Sequence, residues 1–181
     1  YENKCFLWKS QIKQINTTKN FKERIKAALP DTIDTPNIST IHGLALRIIK
    51  ENANYTKVGL DSNFEICDDS AKERIIKGLL IDEDKFDNYL RCLSIVKLSE
   101  KEEVKSKHKE IQDFFNFYNL YNSTLKQNNL IDYDDMLYYA VKILKEDKEV
   151  LKYYQNLCKF IIEDEAQDSS FVQQRLLTIL S

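Results

Sequence analysis

The chain is poor in residues that break helices. Its 181 residues contain 3 glycines and 2 prolines, where average usage would give about 7% and 5%. Sandwiches, barrels and long disordered tails draw heavily on both residues, so this scarcity excludes them and points to a mostly helical protein. Cysteine is also sparse: Cys5, Cys67, Cys92 and Cys158 are scattered, and none forms a C-x-x-C pair. Neither a zinc-site spacing nor a disulfide framework results, and the expectation is reduced thiols in a cytoplasmic protein. No apolar run approaches the roughly 18 residues that span a membrane, and no secretory leader is visible. There is no basic excess: 27 basic side chains face 29 acidic ones, a net charge of -2. Any nucleic-acid site must therefore be local. Methionine occurs once, at Met136, and the chain opens at Tyr1, so Tyr1 is not expected to be a translation start.

What is present is helical periodicity. Phe21, Ile25 and Leu29 recur at spacings of four and predict a short helix over 19–29, stopped by Pro30. A β-prone stretch at 38–40 leads into a predicted helix over 41–53 with Leu44, Ile48 and Ile49 on one side. Residues 63–67 suit a short strand. Asp69 or Ser70 should cap a helix that turns Ile75, Ile76, Leu79 and Leu80 inward, and a further helix is expected over 84–98. Between 100 and 130 an amphipathic stripe of Ile111, Phe114, Phe115, Tyr118, Tyr121 and Leu125 reads as core packing. Base stacking by an exposed tyrosine is the functional alternative, and His108, on the polar side, reads as a solvated histidine. Asp132 should cap the next helix, and 149–157 forms another. The apolar run 160–162 resembles a buried parallel strand, after which Ser169 or Ser170 starts a last helix.

Charge is uneven along the chain. Residues 1–29 hold seven basic side chains against two acidic, and residues 132–168 hold ten acidic against five basic. Either segment can be a solvated surface, or the first can face phosphates and the second a cation. Four acids fall at Glu163, Asp164, Glu165 and Asp168, directly after the apolar run. Like charges this close repel unless a cation or a donor compensates. The end of a parallel strand is where α/β folds place ligands. Mg²⁺ takes one or two carboxylates and keeps several waters, and a neighbouring carboxylate can accept a proton from an attacking water. The structural alternative is an acidic helix N-terminus favoured by the helix dipole.

Four segments carry a resemblance to a known family. Phe160-Ile-Ile-Glu-Asp-Glu-Ala-Gln-Asp-Ser-Ser-Phe-Val-Gln-Gln-Arg-Leu-Leu177 resembles motif II of superfamily 1A DNA helicases, the UvrD/Rep/PcrA family. Ser39-Thr-Ile-His-Gly-Leu-Ala-Leu-Arg-Ile-Ile49 resembles motif Ib. Leu130-Ile-Asp-Tyr-Asp-Asp-Met-Leu137 resembles the segment leading from subdomain 1B back into 1A, and Phe64-Glu-Ile-Cys-Asp-Asp69 the segment ahead of the first 1B helices. The order of the four is that of the family, and the resemblance spans 16–177.

The resemblance implies a predominantly helical α/β fold. Residues 1–44 and 131–181 would form part of a RecA-like P-loop NTPase motor domain with short parallel strands, subdomain 1A. Residues 45–130 would form an inserted all-helical subdomain, 1B. It further implies a parent ATP-dependent helicase that uses ATP and Mg²⁺, translocates on single-stranded DNA and unwinds duplex at a junction with 3′–5′ polarity. Asp164 would hold Mg²⁺ through water, Glu165 would act on the attacking water, and Gln167 would sense the γ-phosphate. Thr40, His42 and Gly43 would contact the DNA backbone. Thr17, Thr18 and Lys19 lie in Asn16-Thr-Thr-Lys-Asn-Phe-Lys-Glu-Arg-Ile25, a shortened motif Ia that lacks the family's stacking aromatic, and are further DNA-contact candidates. Ile41 stands where the family has an aromatic. No glycine is followed by lysine, so the Walker A phosphate loop is missing from this chain, which is not expected to hydrolyse ATP by itself. A piece of an AddA/RecB-type helicase–nuclease and a non-catalytic, helicase-derived binding module are the alternatives.

Overall fold

The structure is a computed structural model; it describes residues 5–9, 23–28, 37–80, 82–98, 109–158, 160–164 and 166–181. The chain divides into two compact units, Tyr1–Glu51 with Ala140–Ser181, and Asn52–Tyr139. These divisions fall somewhat later along the chain than the expected 44/45 and 130/131.

In the first unit, three short parallel strands form a sheet of order β2-β1-β5: β1 (Cys5–Lys9), β2 (Asn37–Thr40) and β5 (Phe160–Asp164). Parallel neighbours need long crossover connections, which is why strands this far apart in sequence can pair. Residues 23–28 are helical (α1), within the stretch expected. Helix α2 (Ile41–Lys50) buries Ile41, Leu44, Ala45, Ile48 and Ile49, a single apolar stripe. It stops before the expected residue 53, because Asn52 and Ala53 adopt left-handed φ values of 51° and 58°. Helix α7 (Lys148–Leu157) begins at the N-cap Asp147. It meets α8 (Phe171–Leu180), where Gln155 Nε2 donates to the Ile179 carbonyl at 2.9 Å.

Strand β5 is parallel, as its composition predicts, but it is not buried throughout. Phe160 and Ile162 are 58% and 52% exposed. Alternate residues of a strand share a face, and among the described residues nothing covers this one. A parallel strand is buried on both sides only where other elements cover both faces of its sheet.

The second unit is helical around a two-stranded parallel ladder, β3 (Glu65–Ile66) with β4 (Leu130–Ile131). Helix α3 (Asp69–Leu79) is capped by Asp68, whose carboxylate accepts from the Ala71 N–H at 2.8 Å, rather than by Asp69 or Ser70. Helices α4 (Phe86–Leu98) and α5 (Lys109–Gln127) complete a core of Cys67, Ile76, Tyr89, Leu93, Phe114, Phe117, Tyr121 and Leu125. The buried stripe of α5 thus runs through Phe117, which the sequence pattern passed over. Ile111 lies at the helix edge, 37% exposed, while Phe115 and Tyr118 flank the core half-buried. The aromatic stripe is core, as expected. His108 lies outside the described residues. Helix α6 (Tyr133–Glu146) leads from this unit into the first. Among the described residues, no helix is long and apolar enough to cross a membrane.

Candidate functional site

The sheet register sets the geometry of the site. Lys9 of β1 pairs with Thr40 of β2 on one side and with Asp164 of β5 on the other. All three are the last residues of their strands, so they lie at one level on the carboxyl edge of the sheet. With strands about 4.8 Å apart, the backbones of Thr40 and Asp164 are separated by roughly 10 Å. Segments more than a hundred residues apart in sequence therefore meet at the edge where parallel sheets gather their ligands.

On the β2 side, Thr40 is the N-cap of α2. Its Oγ1 accepts from the Gly43 N–H at 3.0 Å. A hydroxyl that accepts one bond keeps a proton to donate, so capping and an outward contact are compatible. Gly43 serves the cap directly: a Cβ there would sit 3.1 Å from Thr40 Oγ1. His42, the second residue of α2, is half-buried. The first turn of any helix carries N–H groups with no partner inside the helix, which suit an anion.

On the β5 side, the chain leaves Asp164 for a tight turn at Ala166–Asp168, which places Gln167 on the surface. Ser170 caps α8 through a full capping box. Its N–H donates to Gln173 Oε1 at 2.8 Å, and its Oγ accepts from the Gln173 N–H at 3.4 Å. Of the two serines proposed as caps, Ser170 is the one used. The Ser169 hydroxyl instead donates to Glu163 Oε1. Glu163, one of the four crowded acids, is thus bound to a neighbour within the loop. Glu165 and the motif Ia residues Thr17, Thr18 and Lys19 lie outside the described residues.

A second acidic cluster, in the helical unit, behaves differently. Asp132 caps α6: its Oδ1 accepts from the Asp135 N–H at 2.8 Å, and Asp135 Oδ2 accepts from the Asp132 N–H at 3.2 Å. Lys97, 4% exposed, donates to Asp132 at 2.9 Å and to Asp135 at 2.8 Å. Lys72 donates to Asp134 at 2.9 Å and lies 3.4 Å from Asp132. The Tyr121 hydroxyl donates to Asp132 at 2.9 Å, and the Ser94 hydroxyl to Asp134 at 2.7 Å. Burial alone would raise the Asp132 carboxyl, but Lys97, Lys72 and hydrogen bonds outweigh it and hold the group well below the usual carboxylate range. Burial and the Asp132 charge raise Asp135 to about 7 in spite of Lys97. Burial lowers Lys97, but its two aspartates more than compensate and leave it raised. Three carboxylates facing two ammonium groups leave one negative charge in excess, and burial and the Asp132 charge make Asp135 the group on which it weighs. Reading 132–168 as one cation-facing end is therefore corrected: Asp132, Asp134 and Asp135 have their cations within the protein. Lys72 and Lys97 are 62 and 35 residues from their partners, and no local pattern marks them.

Burial also raises the thiols of Cys67 and Cys158 to about 11, which keeps both protonated, and Cys67, Cys92 and Cys158 are free thiols. A cavity of about 460 Å³ lies elsewhere, between α4 and α5, lined in part by Tyr89, Cys92, Ile111 and Phe114. Lys85, Asn88 and Glu110 complete its lining, and no residue of the sheet edge contributes to it. Among the described residues no three His, Cys, Asp or Glu side chains gather to hold a metal.

Comparison with known proteins gives this arrangement a family. The profile described as UvrD/REP helicase N-terminal domain matches residues 16–181. The ATP-dependent DNA helicase PcrA of Staphylococcus aureus (strain Mu50) is 30% identical over 175 residues, covering 90% of this chain and 23% of the relative. The ATP-dependent DNA helicase Rep of Buchnera aphidicola is 30% identical over 156 residues, covering 80% of this chain and 22% of the relative. A probable DNA helicase II homolog of Mycoplasma capricolum is 28% identical over 181 residues, covering 90% and 24%. The chain spans less than a quarter of each relative's length. With a profile match over most of its length, on a mostly helical chain with a short parallel sheet, the chain belongs to the UvrD/REP helicase N-terminal domain family.

Proposed function

We propose that the chain is the nucleotide- and DNA-contacting part of an ATP-dependent DNA helicase. Its first unit is part of a RecA-like motor domain, and its second is the inserted helical subdomain. The observation that supports this reading is the shared register of Thr40 and Asp164 against Lys9, which brings to one sheet edge the two segments we read as contacting DNA and nucleotide.

Asp164 at a strand end suits a hydrated Mg²⁺, which needs only one or two protein carboxylates. When bound with ATP, the ion would offset phosphate charge. Glu165 accepts a proton from, and orients, the attacking water. Gln167, exposed on the turn, senses the γ-phosphate in this reading. Thr40, His42 and Gly43 contact the phosphate backbone of single-stranded DNA at the α2 N-terminus, with Thr17, Thr18 and Lys19 as further contacts. Such contacts position the strand without reading its sequence. The junction of single and double strands is the substrate, with 3′–5′ polarity.

The phosphate cradle is absent from these 181 residues, since Gly43, Gly59 and Gly78 are all followed by leucine. The isolated chain is therefore inactive in hydrolysis. The test belongs in the full gene product: Glu165→Gln should keep ATP and DNA binding and lose DNA-stimulated turnover by at least ~100-fold. Turnover at the unmodified rate removes Glu165 from this role and the ATPase reading with it.

A further inference from the structure

The acidic turn is closed by a contact that the capping of α8 does not require. Ser170 and Gln173 already satisfy the start of the helix with a complete capping box. Ser169 is left over, and its polar groups tie the turn to itself and to α8. Its hydroxyl donates to Glu163, the residue before Asp164. Its N–H donates to the Ala166 carbonyl at 3.2 Å, and its carbonyl accepts from Gln174 Nε2 at 3.3 Å. Glu163 and Ser169 are both half-buried. They stand immediately before and after the five residues 164–168, which hold Asp164, Glu165 and Gln167.

We propose that Glu163 and Ser169 form a clasp that joins the two ends of the acidic turn and holds it in the geometry needed for hydrolysis. This rests on the ATPase reading above and assigns two positioning residues to it. Neither touches a nucleotide in this account. The chemistry is suited to the task. A carboxylate accepting from a hydroxyl makes a charge-assisted bond, about twice as strong as a neutral one. It also occupies one oxygen of one of the four crowded acids. Because Ser170 caps the helix independently, loss of the clasp loosens the turn without unfolding α8. A misplacement of about 1 Å in a catalytic group can lower the rate by up to ~100-fold.

The experiment measures kcat and KM for ATP with saturating single-stranded DNA in the full gene product. Ser169→Ala and Glu163→Ala should each lower kcat about ten-fold, with KM and DNA affinity changed less than about two-fold. The double variant should be no slower than the worse single one, because both changes break one bond. Ser169→Thr keeps the hydroxyl and Glu163→Gln keeps an acceptor, so both should restore most of the lost rate. Three results overturn the clasp: a normal kcat in Ser169→Ala, losses that multiply in the double variant, or a fall in kcat matched by loss of DNA binding and of melting temperature. Glu165→Gln in the same assay separates the two levels. If it is inactive and Ser169→Ala is normal, the clasp alone fails. If it is fully active, the ATPase reading and the clasp fail together.

Discussion

Residues 132–135 and 163–168 are both short acidic runs in this sequence, yet the structure uses them in opposite ways. The first is buried, and Lys72 and Lys97 answer its charge from α3 and α4. The second follows a strand to the carboxyl edge of a parallel sheet, where the Glu163 carboxylate accepts from the hydroxyl of Ser169. Proximity of acids in sequence therefore does not locate a cation site. The location follows from whether the fold supplies the compensating charge itself. A buried carboxylate must be paired or protonated, so the helical unit needs its lysines. At the carboxyl end of a parallel strand, where α/β folds place ligands, the compensating charge can come from a ligand.

The largest expected effect that sharpens this contrast comes from removing a lysine. Lys97→Met should destabilise the helical unit by roughly 3–5 kcal/mol, because it leaves Asp132 and Asp135 buried without their shared cation. Urea denaturation followed by circular dichroism measures it, and a loss below about 1 kcal/mol would make the cluster ornamental.

A smaller effect depends on pH. Asp135 is raised to about 7, above its unfolded value of about 3.9. A raised acid contributes stability that is fully present below the unfolded pKa and is lost as pH rises through the folded one. Stability should therefore decline between about pH 4 and pH 7. Asp132, held low by its lysines, works oppositely, but only in acid below its unfolded value. Asp135→Asn should flatten the decline, and an unchanged slope from pH 5 to 7.5 would assign it to another group.

The smallest effect tests the sheet edge. Gly43→Ala crowds Thr40 Oγ1 at 3.1 Å and should loosen the α2 cap, offsetting the gain of about 1 kcal/mol that alanine has over glycine in a helix. Binding of a labelled oligonucleotide at low salt should weaken with it, and affinity should fall steeply as salt rises. Salt-independent binding counts against a phosphate contact.

Local signals carried much of this account. The stripe that becomes α2, the caps at Asp132 and Ser170, and the short strands at 37–40 and 160–164 are all written in spacing and composition. Phe117 was missed because Phe115 and Tyr118 offered an equally regular stripe, and only the packing partners on α3 and α4 decide between the two. The end of α2 was missed because Asn52 and Ala53 carry no glycine signal for their left-handed backbone. The exposure of Phe160 and Ile162 was illegible for a different reason: burial of a strand belongs to the elements around it. The pairing of Thr40, Lys9 and Asp164 was likewise invisible, since register across a parallel sheet is a long-range property. The motif resemblance pointed to Thr40 and Asp164 separately, and the sheet brings them to one edge.

The most direct measurement compares Asp164→Asn with Asp132→Asn in the full gene product, recording melting temperature and DNA-stimulated ATP turnover for each. Asp164→Asn should melt like the unmodified protein and lose turnover, whereas Asp132→Asn should lower the melting temperature by several degrees. If Asp164→Asn melts as low as Asp132→Asn, or hydrolyses ATP normally, the division between a structural and a functional acidic run is contradicted.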